Sequence, residues 1–200
     1  MQATQLRLID AAITLFAQHD FASVSISTLN EQAEVLNKSA LYYHFGSKWG
    51  LVEAALRAAM TPYVEAVSYQ LSQLQHEGVS VPAVVDALMQ PMVSLFLQPH
   101  GAASLRFVSR LLTDDQGRQL IADVLAPISA QAVAVLQVLF IDISADVLSL
   151  KVLFSLSSLI HLSADAGFEK FWPTHIQEHD VIRLHIRDYL IGGLTPPTAV

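Results

Sequence analysis

The sequence contains no cysteine, which excludes a disulfide framework, a thiolate metal site and a thiol nucleophile. That absence suits a reducing compartment. Charge is scarce too: Asp, Glu, Lys and Arg make up 14% of the residues, where about 25% is usual. Basic residues are outnumbered by acidic ones, 11 to 18, for a formal net charge of −7. Such a balance argues against attraction of nucleic acid by the whole surface and leaves open a local basic patch. The N-terminal MQATQLRLIDAA has neither the basic start nor the apolar core of a secretory signal, so the chain is expected to stay inside the cell, in the cytoplasm. Repeats, low-complexity tracts and strand-like alternation are all missing.

What the sequence has in excess is apolar residues, 52% of the total. A soluble monomer of this composition has difficulty covering its own surface, so the excess calls for a partner chain, an internal cavity or a membrane. The uncharged run Val124–Ile141 is interrupted by Pro127, Ser129, Gln131 and Gln137. A spanning helix needs about twenty predominantly apolar residues, and no membrane partner is expected.

Helical spacing recurs throughout and predicts an all-α fold. Leu8, Ile9, Ala12, Ile13, Leu15 and Phe16 form one stripe of a first helix, with Thr4 as its N-cap. Thr28 followed by Glu31 is a capping-box pattern that opens a short second helix through Ala33. A third runs from Asn37 to Gly46, whose glycine suits a left-handed cap. Ser47 then caps a long fourth helix reaching about Gln75. Beyond the loop signals at 76–82, helices are expected at about 82–97, 102–113, 117–140 (with a kink or break at Pro127), 145–166 and 175–191. The implied organisation is a three-helix helix-turn-helix domain, residues 1–48, joined by the long helix to a C-terminal helical bundle, residues 49–192.

The segment Asn37–Lys48, NKSALYYHFGSK, is basic and aromatic and contains no acid. Leu41 and Phe45 are one turn apart and would face a core with Phe16, Leu29 and Ala33. Of Tyr42 and Tyr43, at least one is expected to take a core role as well. Tyrosine hydroxyls and a histidine ring are stiff donors suited to phosphate oxygens, and the small Ser39 and Ala40 would let the helix approach base edges. The N-terminus of the fourth helix, with Lys48 beside Ser47, would attract a further phosphate.

Residues 4–52 resemble the DNA-binding domain of the TetR family of transcriptional repressors. LIDAAITLFAQHDFASVSISTLNEQAE is similar to its first two helices, and ALYYHFGSKWGLV carries its signature of Leu-Tyr-x-His-Phe, a turn, then Lys and Leu. The turn Glu34–Asn37 lacks the usual glycine and is one residue longer than the commonest pattern, and Asn30 replaces a usual small residue. A basic N-terminal arm is also lacking: the first fifty residues carry three basic and four acidic side chains, which implies a shallow salt dependence. The resemblance implies a DNA-binding regulator with no enzymatic activity and no cofactor, dimeric on a double-stranded operator and answering to an unidentified small-molecule effector. By the same resemblance Thr28, Tyr42, His44 and Lys48 would hold phosphates, while Lys38, Ser39, Ala40 and Tyr43 would lie nearest the bases.

The segment 146–165 is apolar on two faces, one reading Val147, Leu150, Phe154 and the other Leu148, Val152, Ser155, Leu159. A helix of that kind is covered on both sides. With a similar last helix it predicts a four-helix homodimer interface from segments 145–166 and 175–191, the arrangement of the family. For an effector cavity the candidate walls are Met89, Met92, Phe96, Phe107 and Phe154, and the candidate polar anchors are His100, Arg106, Arg110, His161 and Asp165. Each of these is individually commoner as a structural residue, Arg110 for instance as an ion pair with Asp114.

The competing reading is a zinc-dependent hydrolase. His175-Ile-Gln-Glu-His179 matches an H-x-x-E-H pattern in which two histidines grip zinc and Glu178 acts as base. A catalytic site also needs a third ligand and an open position, and His185 projects from nearly the opposite side. A capping box of Thr174 and Gln177 explains the same residues as an ordinary helix start, so no metal is expected.

Overall fold

Leu8, Ile9, Ala12, Ile13 and Phe16 are all buried, so α1 (Ala3–Phe16) forms by laying this stripe on its neighbours. The computed structural model describes residues 3–37, 39–164 and 179–196, and among these there are helices and no strand. After α1 come α2 (Ile26–Gln32), α3 (Ala40–Phe45), α4 (Lys48–Glu77), α5 (Val81–Phe96), α6 (Gly101–Leu111), α7 (Asp115–Leu139), α8 (Ala145–Ser163) and α9 (His179–Leu194). The all-α expectation holds.

Serine hydroxyls open four of these helices. Ser25 caps α2 by accepting the Thr28 N–H at 3.0 Å, and its hydroxyl meets that of Thr28 at 2.8 Å. The helix therefore starts three residues before the expected cap, with Thr28 inside its first turn. Thr4 likewise lies within α1, not ahead of it. Ser47 accepts the Gly50 N–H at 2.9 Å, and Ser80 and Ser144 do the same for Ala83 and Val147. Pro127 stands inside α7 without ending it. In α4 the helix also continues through Pro62, and the preceding Thr61 hydroxyl donates to the Arg57 carbonyl at 2.6 Å.

The helices fall into two compact units, residues 1–62 with 98–124, and residues 63–97 with 125–200. In the first unit Leu8, Leu29, Leu41, Leu51 and Leu56 are fully buried, and the rings of Phe16 and Phe107 stack at 6.3 Å. Arg110 of α6 donates to Asp20 at 3.0 Å and to the Gln18 carbonyl at 3.3 Å, holding the connector between α1 and α2. Two glycines fix the corner between α3 and α4. Gly46 has φ +72°, and a Cβ on Gly50 would sit 2.0 Å from the Phe45 carbonyl oxygen.

In the second unit Tyr63 is buried and donates to the Leu88 carbonyl at 3.2 Å, and burial pushes its phenol well above the usual range. Ser68 and Gln131 share two hydrogen bonds of 2.9 Å. Arg187 of α9 forks onto Asp86 of α5 at 2.6 and 2.8 Å. One face of α8, with Leu148, Val152, Ser155, Leu156 and Leu159, is buried against this unit.

Two stability effects follow from this packing. Ser25→Ala removes an N-cap and should cost about 1 kcal/mol, read as a lower midpoint in urea unfolding. Gly50→Ala should be more destabilising, because the atom it meets belongs to the backbone and cannot rotate away. A thermal midpoint at or above that of the unaltered chain would contradict this.

Candidate nucleic-acid interface

The third helix has six residues, and its inner face is Ala40 and Leu41, 5% and 0% exposed. Tyr42 and Tyr43 are 54% and 82% exposed. The expectation that one tyrosine would be buried is therefore corrected: adjacent side chains on a helix diverge by about 100°, and Leu41 already fills the inner position. Ala40 is the converse case, a residue assigned to the bases that packs inward. Ser39 is exposed, while His44 and Phe45 are half-buried. The His44 ring lies edge-on to Tyr43 with centroids 5.0 Å apart.

The turn before this helix is built without glycine. Glu34 takes φ +53°, a conformation that costs an L-residue roughly 1–2 kcal/mol. Its carbonyl accepts from the Arg7 guanidinium at 3.3 Å, and the next N–H, of Val35, donates to the Asn30 carbonyl at 2.8 Å. Val35 turns inward, so the following Leu36 is fully exposed. The helix begins at Ala40, not at the expected Asn37, which instead braces the turn ahead of it: its side chain accepts the Ser39 N–H and its carbonyl the Ala40 N–H, both at 3.0 Å. Thr28 is exposed at the opening of α2. Ser39, Tyr42, Tyr43 and Thr28 thus remain available to a partner.

Lys48 behaves differently. Its ammonium donates to the Phe21 carbonyl and lies 4.1 Å from the centroid of the Phe21 ring and 5.6 Å from that of Phe16. Phe21 in turn stacks on Trp49 with centroids 4.0 Å apart. Desolvation among these groups lowers the ammonium pKa. Nothing in the segment around Lys48 signals this, because Phe21 stands 27 residues earlier. Lys38, Asp165, Trp172, His175 and Glu178, and the side chain of His179, lie outside the described residues.

The candidate effector residues are divided between the units. Arg106, Phe107 and Arg110 belong to the first, where Phe107 is buried against Phe16 and Arg110 pairs with Asp20 instead of Asp114. Met92, Phe96, Phe154 and His161 belong to the second: Met92 is fully buried, Phe96 and Phe154 are 37% and 60% exposed, and His161 is exposed. The second unit also has an open cleft of 340 Å³ lined by Asp86, Met89, Gln90, Arg183, Leu184 and Arg187. Of these only Met89 stands out in the sequence as a candidate wall. Among the described residues no three His, Asp or Glu side chains are grouped to hold a metal ion.

The chain matches a model of bacterial regulatory proteins of the tetR family over residues 8–55, and one of the tetracyclin repressor-like C-terminal domain over residues 86–193. No curated protein sequence matches it. Among solved structures, a protein assigned to the TetR family of transcriptional regulators from Rhodococcus sp. is 16% identical with a TM-score of 0.65, covering 96% of this chain and 97% of that one. GusR of Salmonella enterica is 20% identical with a TM-score of 0.60, covering 96% and 95%. At these identities the two structures support the fold alone. By length and composition α7 and α8 could cross a membrane, but both fall within the matched C-terminal domain of a soluble family. That domain model spans more than half of the residues, and together with the match over the helix-turn-helix it establishes that the chain belongs to the TetR family of DNA-binding transcriptional regulators.

Proposed function

We propose that the chain is a cytoplasmic, homodimeric, effector-responsive regulator, a repressor in its simplest form, that reads a palindromic operator with the α2–α3 segments of two copies. Residues 1–48 act as the reading head and 49–192 as the effector-binding and dimerisation domain. The observation that carries this reading is the outward face of α3. Tyr42 and Tyr43 are exposed on a helix too short to need them outside, where they and Ser39 suit a groove in duplex DNA. In this reading Thr28, Tyr42, His44 and Lys48 hold phosphates, and Lys38, Ser39 and Tyr43 approach the bases.

The dimer is supported by the second face of α8. Val147, Leu150, Leu153 and Phe154 are 46–60% exposed, and α9 adds Leu184 and Tyr189 at 53% and 64%. Two heads related by a two-fold axis would read half-sites about one helical turn apart, or a multiple of it. An effector bound among the candidate residues of the C-terminal domain would act through α4, which runs from one unit into the other. It can do so only by binding two dimer shapes with different affinity.

Selection of duplexes from a random DNA pool tests the central claim. A palindrome should be recovered, and Tyr42→Ala should weaken binding to it and to its variants alike by about tenfold or more, since a hydrogen bond to a charged group contributes roughly 1.5–3 kcal/mol. Recovery of no common sequence would defeat the reading. Phe154→Asp should convert the dimer to monomer in sedimentation equilibrium and reduce affinity for the full palindrome. A variant that sediments as a dimer would move the interface elsewhere.

A further inference from the structure

Leu36 is 100% exposed and Tyr43 82%. Among the described residues these are the two most exposed large apolar side chains, and both belong to the helix-turn-helix. A single exposed leucine is ordinary on a protein surface. This one differs because the chain on both sides of it is tied down. Before it, Glu34 takes φ +53° with its carbonyl on the Arg7 guanidinium. The Val35 N–H then donates to the Asn30 carbonyl at 2.8 Å while the Val35 side chain is buried. After it, Asn37 accepts the Ser39 N–H with its side chain and the Ala40 N–H with its carbonyl. The outward place of Leu36 is thus set by backbone hydrogen bonds and by the burial of its neighbour, not by a choice of rotamer.

The turn that carries Leu36 leads into the N-terminal end of α3, and it is that end of a recognition helix that meets base edges. A leucine side chain can make no hydrogen bond there. Against the polar edge of a base it would strip water from a donor or acceptor and return nothing, which is unfavourable. Of the four bases only thymine presents a methyl group in the major groove, and an apolar side chain can pack on it.

We propose that Leu36 is a specificity-determining residue that packs on a thymine methyl of the operator, at the end of α3 where Ser39 approaches the bases. The turn then takes a share in base discrimination, by apolar contact, beside the polar contacts assigned to the helix.

The proposal rests on the DNA-binding reading, and the test uses the full chain with the duplex that it recovers from the random pool. If no duplex is recovered, it is that reading that fails. With one in hand, each thymine is replaced in turn by deoxyuridine, which removes only the methyl. One replacement in a half-site should weaken binding by about fourfold, the effect of burying one such group. Leu36→Ala, with helix content unchanged by circular dichroism, should bind the original duplex about fourfold or more weakly. It should be indifferent to that same replacement, and its slope of log K against log salt should be unaltered, because no charge is lost. A repeated selection with the variant should return any base at that position. Equal sensitivity of the two proteins at every thymine, the result expected if Leu36 faces solvent or another protein, overturns the proposal, as does a selected duplex with no sensitive thymine. Should the variant not fold, nuclear Overhauser contacts decide: the Leu36 methyl protons of the unaltered protein should meet a thymine methyl in the complex, and their absence overturns the proposal.

Discussion

Six residues do not hold a helix in water, because the first turn fixes several dihedral angles for a single hydrogen bond. The third helix exists because Leu41 and Ala40 are buried, Asn37 ties down its start and Gly46 turns the chain away at its end. Every property of the outward face depends on that anchorage. With the inner positions filled, Tyr42 and Tyr43 are left outside on a surface of fixed orientation. The helix-turn-helix is in this sense a byproduct of packing: a small apolar contact decides which polar groups are displayed.

Much of this was legible along the chain. The Leu-Tyr-x-His-Phe segment, Gly46 and Ser47 are local signals, and each acts locally in the structure. The opening of α2 was not, because Ser25 and Thr28 are both good caps three residues apart and propensity does not choose between them. The missing glycine at position 34 is resolved by Glu34 adopting the left-handed conformation, with Arg7 on its carbonyl. Arg7 is far off in sequence and silent in any window around the turn. Lys48 is a similar case, since its contact with the distant Phe21 is silent in any window around it. Grouping of the middle helices was hidden too: α6 looks like part of a C-terminal bundle, yet Phe107 and Arg110 engage Phe16 and Asp20.

The apolar excess is spread unevenly in the folded chain. Along α8 the buried face carries Leu148, Val152, Leu156 and Leu159, and the other leaves Val147, Leu150, Leu153 and Phe154 in contact with solvent. The sequence reveals that the helix has two apolar faces and does not reveal which is satisfied within the chain. Composition alone also cannot separate such a helix from a membrane span, and α7 and α8 both have suitable length. The family to which the domain belongs resolves that ambiguity in favour of a soluble protein.

The corner at Gly50 leaves no room for any side chain, whereas Ser39 and Tyr43 contribute nothing to the interior. Drift in such a molecule is channelled: position 50 is closed to novelty, and the displayed positions are open to it at little thermodynamic penalty. The outer surface of the third helix can therefore diverge while the scaffold beneath it is inherited unchanged, so variation in what is displayed need not leave a trace in how the protein folds.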